Sequence, residues 1–424
     1  MKTIPKQGLL ISVLCLVAWT LTNMDQSLFG YAIPGIMADL DIGLTEIGWT
    51  LSVAFLFAAI ATIVIGILTD IYGRRIMLGL CLGLSALFVA LHAIIPGLLA
   101  LMLVRSLAFG LSNGLSPITN TYVVEAAPAR YRGLYVGLLQ CGYPLGWFLA
   151  ALVTAPLMAL YGWRSVFLVA VVVIPAAYVL YKVIPESERF QKTKARHQSD
   201  RPIEGARQRL AELFQPPLRR RTLICALAFF LFGGAYAGSA FYFPTYFSEA
   251  KGYSVEQATL IVGISYGIGV LGYIGAAVVG EFFMTRRNTI TLWCLSGAVA
   301  LFFFLWFSDG FVQDLLLFGL MASFFYGTSA VLTTFMAELF PTHLRATGAA
   351  VSASAGMNLG FATFPVIVSS AIESLGWNWA FTVWILPPLV LCGVLVLFLD
   401  NLESGREIDD GELPEVSTPT LSGR

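Results

Sequence analysis

The segment Glu125-Ala-Ala-Pro128-Ala-Arg-Tyr-Arg132 recurs 213 residues later as Glu338-Leu-Phe-Pro341-Thr-His-Leu-Arg345, with the same spacing of glutamate, proline and arginine. Two dipeptides recur at almost the same offset, namely Gly162-Trp163 as Gly376-Trp377 and Arg74-Arg75 as Arg286-Arg287. Three motifs in one register indicate that the second half of the chain repeats the first in the same orientation. Parallel repeats of this kind occur in membrane proteins whose two halves enclose a site near the middle of the bilayer.

The composition predicts a polytopic membrane protein. Of the 424 residues, 58% are hydrophobic and only 12% are charged, whereas soluble domains carry about 25% charged residues. A helix needs around 20 apolar residues to cross the hydrocarbon core. Twelve runs meet that length: 8–37, 44–69, 76–95, 98–126, 131–160, 163–184, 220–249, 255–284, 288–308, 312–340, 346–373 and 377–399. We therefore expect an all-α fold of two six-helix bundles.

The domain boundaries follow from the same pattern. Residues 1–184 are predicted to form the first bundle, 185–219 a polar linker, 220–400 the second bundle and 401–424 a disordered tail. Most Lys and Arg residues fall in the linker and in loops on its side of the membrane, and cytoplasmic loops carry that excess. We therefore expect both termini in the cytoplasm and the chain in the cell (inner or plasma) membrane.

The sequence gives no sign of an enzyme, a metal centre or a nucleic-acid-binding surface. Cys15, Cys81, Cys141, Cys225, Cys294 and Cys392 are scattered singly, and the three histidines are far apart. No pair has the spacing of metal ligands or of a disulfide framework. No cofactor is expected, and the predicted environment is the lipid bilayer around a monomer.

Asp25 is the most unusual residue of the first apolar run. It lies near the middle of that run, within Thr22–Pro34, and an ionised side chain at this depth costs about 2.5–3.5 kcal/mol. Two interpretations remain open. Asp25 either takes up and releases a proton during transport, or it belongs to a shallow helix end or a purely structural ion pair.

The segment Gly66-Ile-Leu-Thr-Asp70-Ile-Tyr-Gly73-Arg74-Arg75, between the second and third runs, resembles the signature of the major facilitator superfamily. Within that superfamily the chain is similar to the metabolite:proton symporters, which include the sugar porters and the aromatic-acid and sialate symporters. The similarity rests on four further segments: Tyr122 to Gly133, Gly162-Trp163-Arg164, Pro185-Glu186-Ser187 and Glu338 to Gly348. It implies a transporter of a small-molecule solute and a proton that works by alternating access.

The charged residues of these motifs are predicted to form conformational latches. A carboxylate at the end of one span can reach a guanidinium or a helix N-terminus in the other half. Glu125 should pair with Arg132, and Glu338 with Arg345. In the second half the acid Glu281 is one position out of register, which predicts a weaker latch there. The predicted latch residues are Gly66, Asp70, Gly73, Arg74, Arg75, Glu125, Arg132, Glu338 and Arg345. A simple topology anchor is the alternative role for Asp70.

Arg105 lies within the fourth run. The resemblance to sugar porters implies that it pairs with Asp25, and two opposite charges at membrane depth do need each other. A second possibility is that Arg105 binds a substrate carboxylate directly. Phe109 stands where sugar porters usually carry glycine.

The seventh run argues against a sugar as the substrate. Sugar porters carry amides there, whereas this run has none and is rich in aromatic residues, which suits a planar or aromatic acid. The predicted substrate contacts are Arg105, Gln26, Asn113, Gln140, Tyr143, Tyr236, Tyr242, Tyr266 and Asn358.

The function expected from these features is proton-coupled symport of a small organic acid, with Asp25 and Arg105 as the proton-coupling pair. A sugar or polyol:proton symporter is one alternative. A second is a proton-driven efflux antiporter, because Gly142-Tyr-Pro144-Leu-Gly146 has some similarity to a drug-antiporter motif. A non-transporting membrane sensor is the third.

Overall fold

The computed structural model describes residues 6–127, 131–186, 211–216, 218–340, 344, 348, 351 and 355–401. This part of the chain is helical and contains no strand. Twelve of its helical segments are long and apolar enough to cross a membrane. The predicted all-α fold with twelve spans is therefore confirmed, and the protein is a multi-pass membrane protein.

Eight helices form the first six spans. Span five is interrupted at Cys141, and span six contains a short 3-10 turn at Val169–Val172. The helices are α1 (Lys6–Leu40), α2 (Leu44–Tyr72), α3 (Arg74–Leu91), α4 (Leu98–Ala126), α5 (Arg132–Gln140), α6 (Gly142–Tyr161), α7 (Trp163–Leu168) and α8 (Val173–Val183).

The second half has the same plan. Its helices are α9 (Leu218–Ala240), α10 (Phe243–Glu249), α11 (Val255–Phe282), α12 (Arg286–Phe307), α13 (Phe311–Phe324), α14 (Ser329–Glu338), α15 (Ala355–Leu375), α16 (Trp377–Trp384) and α17 (Leu386–Val396). The seventh predicted run, 220–249, is divided because the helix breaks at Phe241 and Tyr242 between α9 and α10.

The repeated Gly-Trp dipeptides mark equivalent turns in the two halves. Gly162 precedes α7 with φ +74°, and Gly376 precedes α16 with φ +77°. A side chain disfavours this left-handed region, so glycine is the residue that lets the chain reverse there without strain. The repeat seen in the sequence is thus a repeat of backbone geometry.

The most extensive packing between the two halves involves four helices. In the interface α2 lies against α15, and α6 lies against α11. We call the ends of the bundles near Gly73, Glu186 and Leu218 the linker side, and the opposite ends, near Gly43 and Glu373, the far side. The first half meets the second on both sides, and a cavity lies between these contacts.

Candidate substrate cavity and flanking charge clusters

A cavity of about 400 Å³ lies between the two halves, and both halves contribute to its wall. Its lining residues come from α1, α2, α4, α5 and α6 of the first half and from α9, α14 and α15 of the second, with Phe241 just beyond α9. They are Trp19, Asn23, Gln26, Phe55, Thr62, Phe109, Asn113, Ser116, Pro117, Asn120, Gln140, Tyr143, Phe229, Phe232, Tyr236, Phe241, Ser329, Leu332, Thr333, Met357, Asn358 and Phe361.

The cavity wall is aromatic and amidic. Phe55 of α2 contacts Phe361 of α15 with ring centres 4.9 Å apart, and it contacts Phe109 of α4 at 4.6 Å. Six amide side chains share the wall, and none of the described lining residues carries a charge. A surface of this kind favours a flat, partly polar solute, because rings stack on the phenylalanines while amides bind its polar edge.

Six of the nine predicted substrate contacts lie on this wall: Gln26, Asn113, Gln140, Tyr143, Tyr236 and Asn358. The other three, Arg105, Tyr242 and Tyr266, are not among the lining residues of this conformation. The hydroxyl of Tyr242 instead donates to the carbonyl oxygen of Pro365, at 2.9 Å. Tyr266 lies behind the wall, stacked on Trp147 with ring centres 4.9 Å apart.

Arg105 lies behind the phenylalanines of the wall. Its guanidinium carbon is 4.2 Å from the ring centre of Phe29, 5.1 Å from that of Phe109 and 5.7 Å from that of Phe241. Cation–π contacts of this kind contribute about 0.5–2 kcal/mol each, more when water is excluded. Since Phe241 belongs to the second half, Arg105 also links the two halves.

Asp25 and Arg105 are not paired in this conformation, which corrects the ion pair expected between them. Asp25 is fully buried, and neither of its carboxylate oxygens has a partner in the described part of the chain. Nε and Nη2 of Arg105 are also without hydrogen-bond partners there. Asp25 precedes Phe29 by four residues, so the two side chains lie on one face of α1. Arg105 therefore contacts that face one turn away from the carboxylate.

His92 is a buried residue close to Arg105. It lies in a 3-10 turn after α3 and is shielded from solvent. Its ring stacks on Phe167 with centres 4.8 Å apart and meets the ring of Phe29 edge-on at 6.0 Å. Its Nδ1 lies 3.0 Å from the carbonyl oxygen of Phe88. His92 therefore helps to fix Phe29, the ring on which Arg105 rests.

Several cavity residues were not predicted. Trp19, Phe55, Phe241 and Phe361 line the wall, yet each sits in an apolar run where an aromatic side chain is unremarkable. Asn23 and Asn120 also line it, and the rarity of amides in these runs was a signal that could have identified them. Trp19 lies well inside the first span, whereas tryptophan usually concentrates near the ends of spans, and this unusual position was a weaker indication of a cavity role.

On the linker side, an ion pair links α3 to α4. Nη2 of Arg74 lies 3.8 Å from Oε1 of Glu125. The carboxylate of Glu186 accepts from the first backbone N–H groups of α3, those of Arg74 and Arg75, both at 3.2 Å. A negative charge at a helix N-terminus is favourable. The side chains of Asp70 and Arg132 lie outside the described residues, so their latch roles stay predictions.

The second half carries the equivalent pair, in which Arg286 binds Glu338. Arg286 also binds Glu281, with Nη2 and Oε2 2.6 Å apart. The out-of-register acid Glu281 therefore forms an ion pair with Arg286, and the weaker latch expected in the second half stays a prediction. Arg345 lies outside the described residues. Because Arg74 and Arg286, like Glu125 and Glu338, are repeat equivalents, the structure shows the repeat in its ion pairs.

The linker-side cluster of the second half touches the first half at a glycine. A Cβ placed on Gly133 would lie 2.6 Å from Nη2 of Arg286 and 3.0 Å from Oε2 of Glu281. Gly133 lies in the first turn of α5. Any larger residue there would displace the charged cluster.

The far side has its own ties. The backbone N–H of Thr45, at the start of α2, donates to Oε1 of Glu373 near the end of α15, at 3.0 Å. Within the second half, fully buried Asp314 lies 3.1 Å from Nζ of Lys251 and accepts from the hydroxyl of Tyr253, at 2.7 Å. Burial and this carboxylate together raise the pKa of Tyr253 to about 12.

Twelve spans arranged as two repeated halves around a central cavity define a membrane transporter rather than an enzyme. A family model described as Major Facilitator Superfamily matches residues 15–354. The chain therefore belongs to the Major Facilitator Superfamily, which confirms the resemblance found in its motifs.

Curated relatives cover most of the chain. It is 26% identical to the niacin transporter NiaP of Acinetobacter baylyi, over 90% of this chain and 91% of that protein. It is 26% identical to the 4-hydroxybenzoate transporter PcaK of Pseudomonas aeruginosa, over 91% of each. It is 28% identical to a gallate transporter of Pseudomonas putida, over 87% of this chain and 86% of that protein.

Among solved structures, a bacterial homolog of the human lysosomal transporter Spinster, in an inward-facing and occupied conformation, matches with a TM-score of 0.66. It is 14% identical and covers 92% of this chain and 94% of that one. At this identity the likeness shows the shared fold and nothing more.

Proposed function

We propose that this protein carries a small aromatic or otherwise planar organic acid across the membrane together with a proton. The solutes named for its relatives, niacin, 4-hydroxybenzoate and gallate, are all aromatic carboxylic acids. The linker side faces the cytoplasm in this proposal, in keeping with its excess of Lys and Arg. The cavity between the halves is the transport site.

The shape and chemistry of the cavity support this substrate class. Its volume of about 400 Å³ is in the range of small-molecule sites, which extends from roughly 300 to 1,000 Å³. The phenylalanines supply faces for a ring, and Asn113, Gln140 and Asn358 supply polar contacts at its rim. Nine of the described lining residues are aromatic, which favours a planar ring over a hexose.

The observation that carries the proton-coupling proposal is Asp25, which is buried beside the cavity and has no partner among the residues that the structure describes. Its near neighbours Asn23 and Gln26 line the wall. Removing an ionised carboxylate from water with nothing to pair it is very costly, and a carboxyl group in that position avoids the cost by holding a proton. In this conformation Arg105 rests on Phe29, one turn away. Loss of the proton would draw Arg105 one turn along α1 toward Asp25, and this movement would couple protonation to the position of α4.

Uptake by proteoliposomes tests the proposal. The full chain is reconstituted, and accumulation of labelled nicotinate, 4-hydroxybenzoate and gallate is measured under an imposed pH gradient, with protein-free liposomes as the control. One proton carried with one monocarboxylate moves no net charge. Accumulation of a monocarboxylate should therefore follow the pH gradient, about tenfold per pH unit, and should not respond to membrane potential.

The Asp25→Asn variant separates coupling from binding. It should lose gradient-driven accumulation and keep exchange of labelled for unlabelled acid, because the cavity itself is unchanged. Full accumulation by this variant would refute Asp25 as the proton carrier. Failure of the wild-type protein to move any acid of the panel would refute the substrate class.

A further inference from the structure

Four tyrosines form a connected cluster beside the cavity, and we call them the tyrosine cluster: Tyr143, Tyr236, Tyr266 and Tyr326. Tyr143 lies in α6 of the first half, and the other three belong to the second. The ring centre of Tyr143 is 5.1 Å from that of Tyr236 and 6.0 Å from that of Tyr266. Tyr326 stacks on Tyr266 at 5.5 Å and meets Tyr236 at 4.7 Å. Tyr143 and Tyr236 reach the cavity wall.

The hydroxyl groups of this cluster are unequally satisfied. That of Tyr326 lies 3.1 Å from Oγ of Ser239. Those of Tyr143 and Tyr266 are shielded from solvent and make no hydrogen bond of normal geometry to the described residues, with neighbouring tyrosines of the cluster near them. A buried polar group left unpaired is destabilising, and proteins keep few of them. Two such hydroxyls on touching rings, one on the cavity wall and the other directly behind it, point to a polar group that binds there from outside the protein.

The electrostatics of the cavity identify that group. The described lining residues include no lysine or arginine, and Arg105 is separated from the cavity by Phe109 and Phe241. A carboxylate entering the cavity must therefore be held by neutral donors. Phenol hydroxyls are suitable donors, because hydrogen bonds from O–H groups to a carboxylate are short and about twice as strong as neutral ones.

We infer that the hydroxyl of Tyr143 on the cavity wall, together with that of Tyr266, whose ring contacts Tyr143 from behind the wall, binds the substrate carboxylate, with Tyr236 bordering the same subsite. The inference rests on the proposed function and assigns the carboxylate end of that site. Trp147 stacks on Tyr266, and its carbonyl oxygen accepts from the hydroxyl of Tyr31 at 2.9 Å. The ring of Tyr266 is therefore held in place before substrate arrives. The ring of the substrate then lies toward Phe361, which stacks against Tyr236 with centres 6.1 Å apart.

A subsite built from hydroxyl groups distinguishes an acid from its amide. The carboxylate accepts from two hydroxyls through charged oxygens, whereas a carboxamide offers one neutral oxygen. Binding to the purified full-length protein in lipid nanodiscs is measured by calorimetry with two pairs of probes, nicotinate with nicotinamide and 4-hydroxybenzoate with 4-hydroxybenzamide.

Each of the variants Tyr143→Phe and Tyr266→Phe should weaken binding of the acid by roughly tenfold, the usual scale for losing a hydrogen bond to a charged group, and should change binding of the amide less than threefold. The matched control is Tyr122→Phe, which removes a hydroxyl from a buried tyrosine that donates to Pro185 at 3.3 Å and does not line the cavity. It should bind both probes like the wild type. Because Tyr143 and Tyr266 lie in different helices, the test remains possible if one of the two variants fails to fold.

Wild-type acid affinity in both tyrosine variants, as expected if water alone occupies the subsite, would overturn the inference. Equal losses for acid and amide would also overturn it, since they would indicate packing rather than carboxylate recognition. Both results leave the proposed function standing. If the wild-type protein neither binds nor transports any acid of the panel, the proposed function itself fails.

Discussion

Arg105 is the residue whose environment is most informative. Its charge is almost completely buried, yet among the described residues it contacts three phenylalanine rings and forms no ion pair with a carboxylate. A guanidinium is planar and weakly hydrated, so it stacks on aromatic faces where an ammonium does not. In this conformation the arginine therefore joins α1, α4 and the residue that follows α9 through one side chain.

Replacing Arg105 with lysine should keep the charge and remove the stacking. We expect about a tenfold slower uptake of the preferred acid, with its binding affinity little changed because Arg105 does not line the cavity. Initial rates of uptake across a range of pH, together with calorimetry, would measure the two effects. Wild-type uptake throughout that range would show that Arg105 serves only to pack, and a selective loss of binding would place it on the substrate.

Asp314 illustrates a buried charge with a structural role. It is held by Lys251 and Tyr253 at the far side of the second half. The Asp314→Asn variant should lower the free energy of unfolding by about 1–3 kcal/mol, since it leaves the ammonium of Lys251 without its carboxylate. Thermal unfolding in detergent would measure the loss. An unchanged unfolding temperature would mean that the pair contributes little.

The contact between Asp314 and Tyr253 also predicts that the protein loses stability at alkaline pH. Because the pKa of Tyr253 is raised to about 12 in the folded protein, from about 10 in an unfolded chain, its contribution is complete below pH 10. It is lost as the pH rises from 10 to 12. The Tyr253→Phe variant should be less stable than the wild type near neutral pH and should lose less stability over that alkaline interval. If the free energy of unfolding fell by the same amount between pH 10 and pH 12 in both proteins, this role of Tyr253 would be contradicted.

At the scale of helices, the N-termini of α3 and α12 are organised in the same way. Each begins with an Arg-Arg pair, and the first arginine of each binds a glutamate at the end of the span that follows, Glu125 for Arg74 and Glu338 for Arg286. The second cluster also reaches across to Gly133 at the start of α5. On the linker side, the two halves therefore meet where Gly133 of the first half leaves room for the Arg286 guanidinium of the second.

The Gly133→Ala variant tests this contact. The added methyl group would lie 2.6 Å from Nη2 of Arg286, so this guanidinium would have to move and its ion pairs with Glu281 and Glu338 would be disturbed. Transport should slow several-fold while equilibrium binding of the preferred acid persists. Gly83→Ala is a suitable control, because its nearest new contact is an ordinary 3.7 Å from Ala177 of the same half. Normal turnover in Gly133→Ala would show that the contact does not limit the cycle.

At the scale of the whole molecule, alternating access requires the far-side contacts to open and close. Gly48 of α2 packs against Ser369 of α15, and a Cβ on Gly48 would lie 3.1 Å from the Cβ of Ser369. Disulfides need Cβ atoms about 3.5–4.5 Å apart, and the new Cβ would also lie 3.0 Å from the backbone oxygen of Pro365. A small outward shift of α2 from α15 would relieve that contact and allow a bond between cysteines placed there.

The double variant Gly48→Cys/Ser369→Cys should therefore cross-link under mild oxidation and lose nearly all transport, and a reducing agent should restore it. The six native cysteines are all buried, which limits competing reactions, and the two single variants serve as controls. Full transport by the cross-linked protein would show that the far side does not need to separate at this point.

The sequence by itself determined the fold and part of the site. The thickness of the bilayer fixes the length of a spanning run, so twelve runs predict twelve spans, and the repeated Glu-x-x-Pro and Gly-Trp motifs predict two equivalent halves. Polar residues are rare in such runs, so Gln26, Asn113, Gln140 and Asn358 could be selected as cavity residues before any packing was known.

Only the tertiary structure decided which side chains meet. Arg105 rests on Phe241 of the other half, the Tyr143 and Tyr266 rings come together from α6 and α11, and Arg286 contacts Gly133. Each of these contacts joins residues more than a hundred positions apart, across an interface where neither periodicity nor spacing specifies the partner. The relative placement of the two bundles decides these contacts. It determines that Arg286 is paired, that Arg105 is stacked on aromatic rings, and that Asp25 has no partner in the described part of the chain.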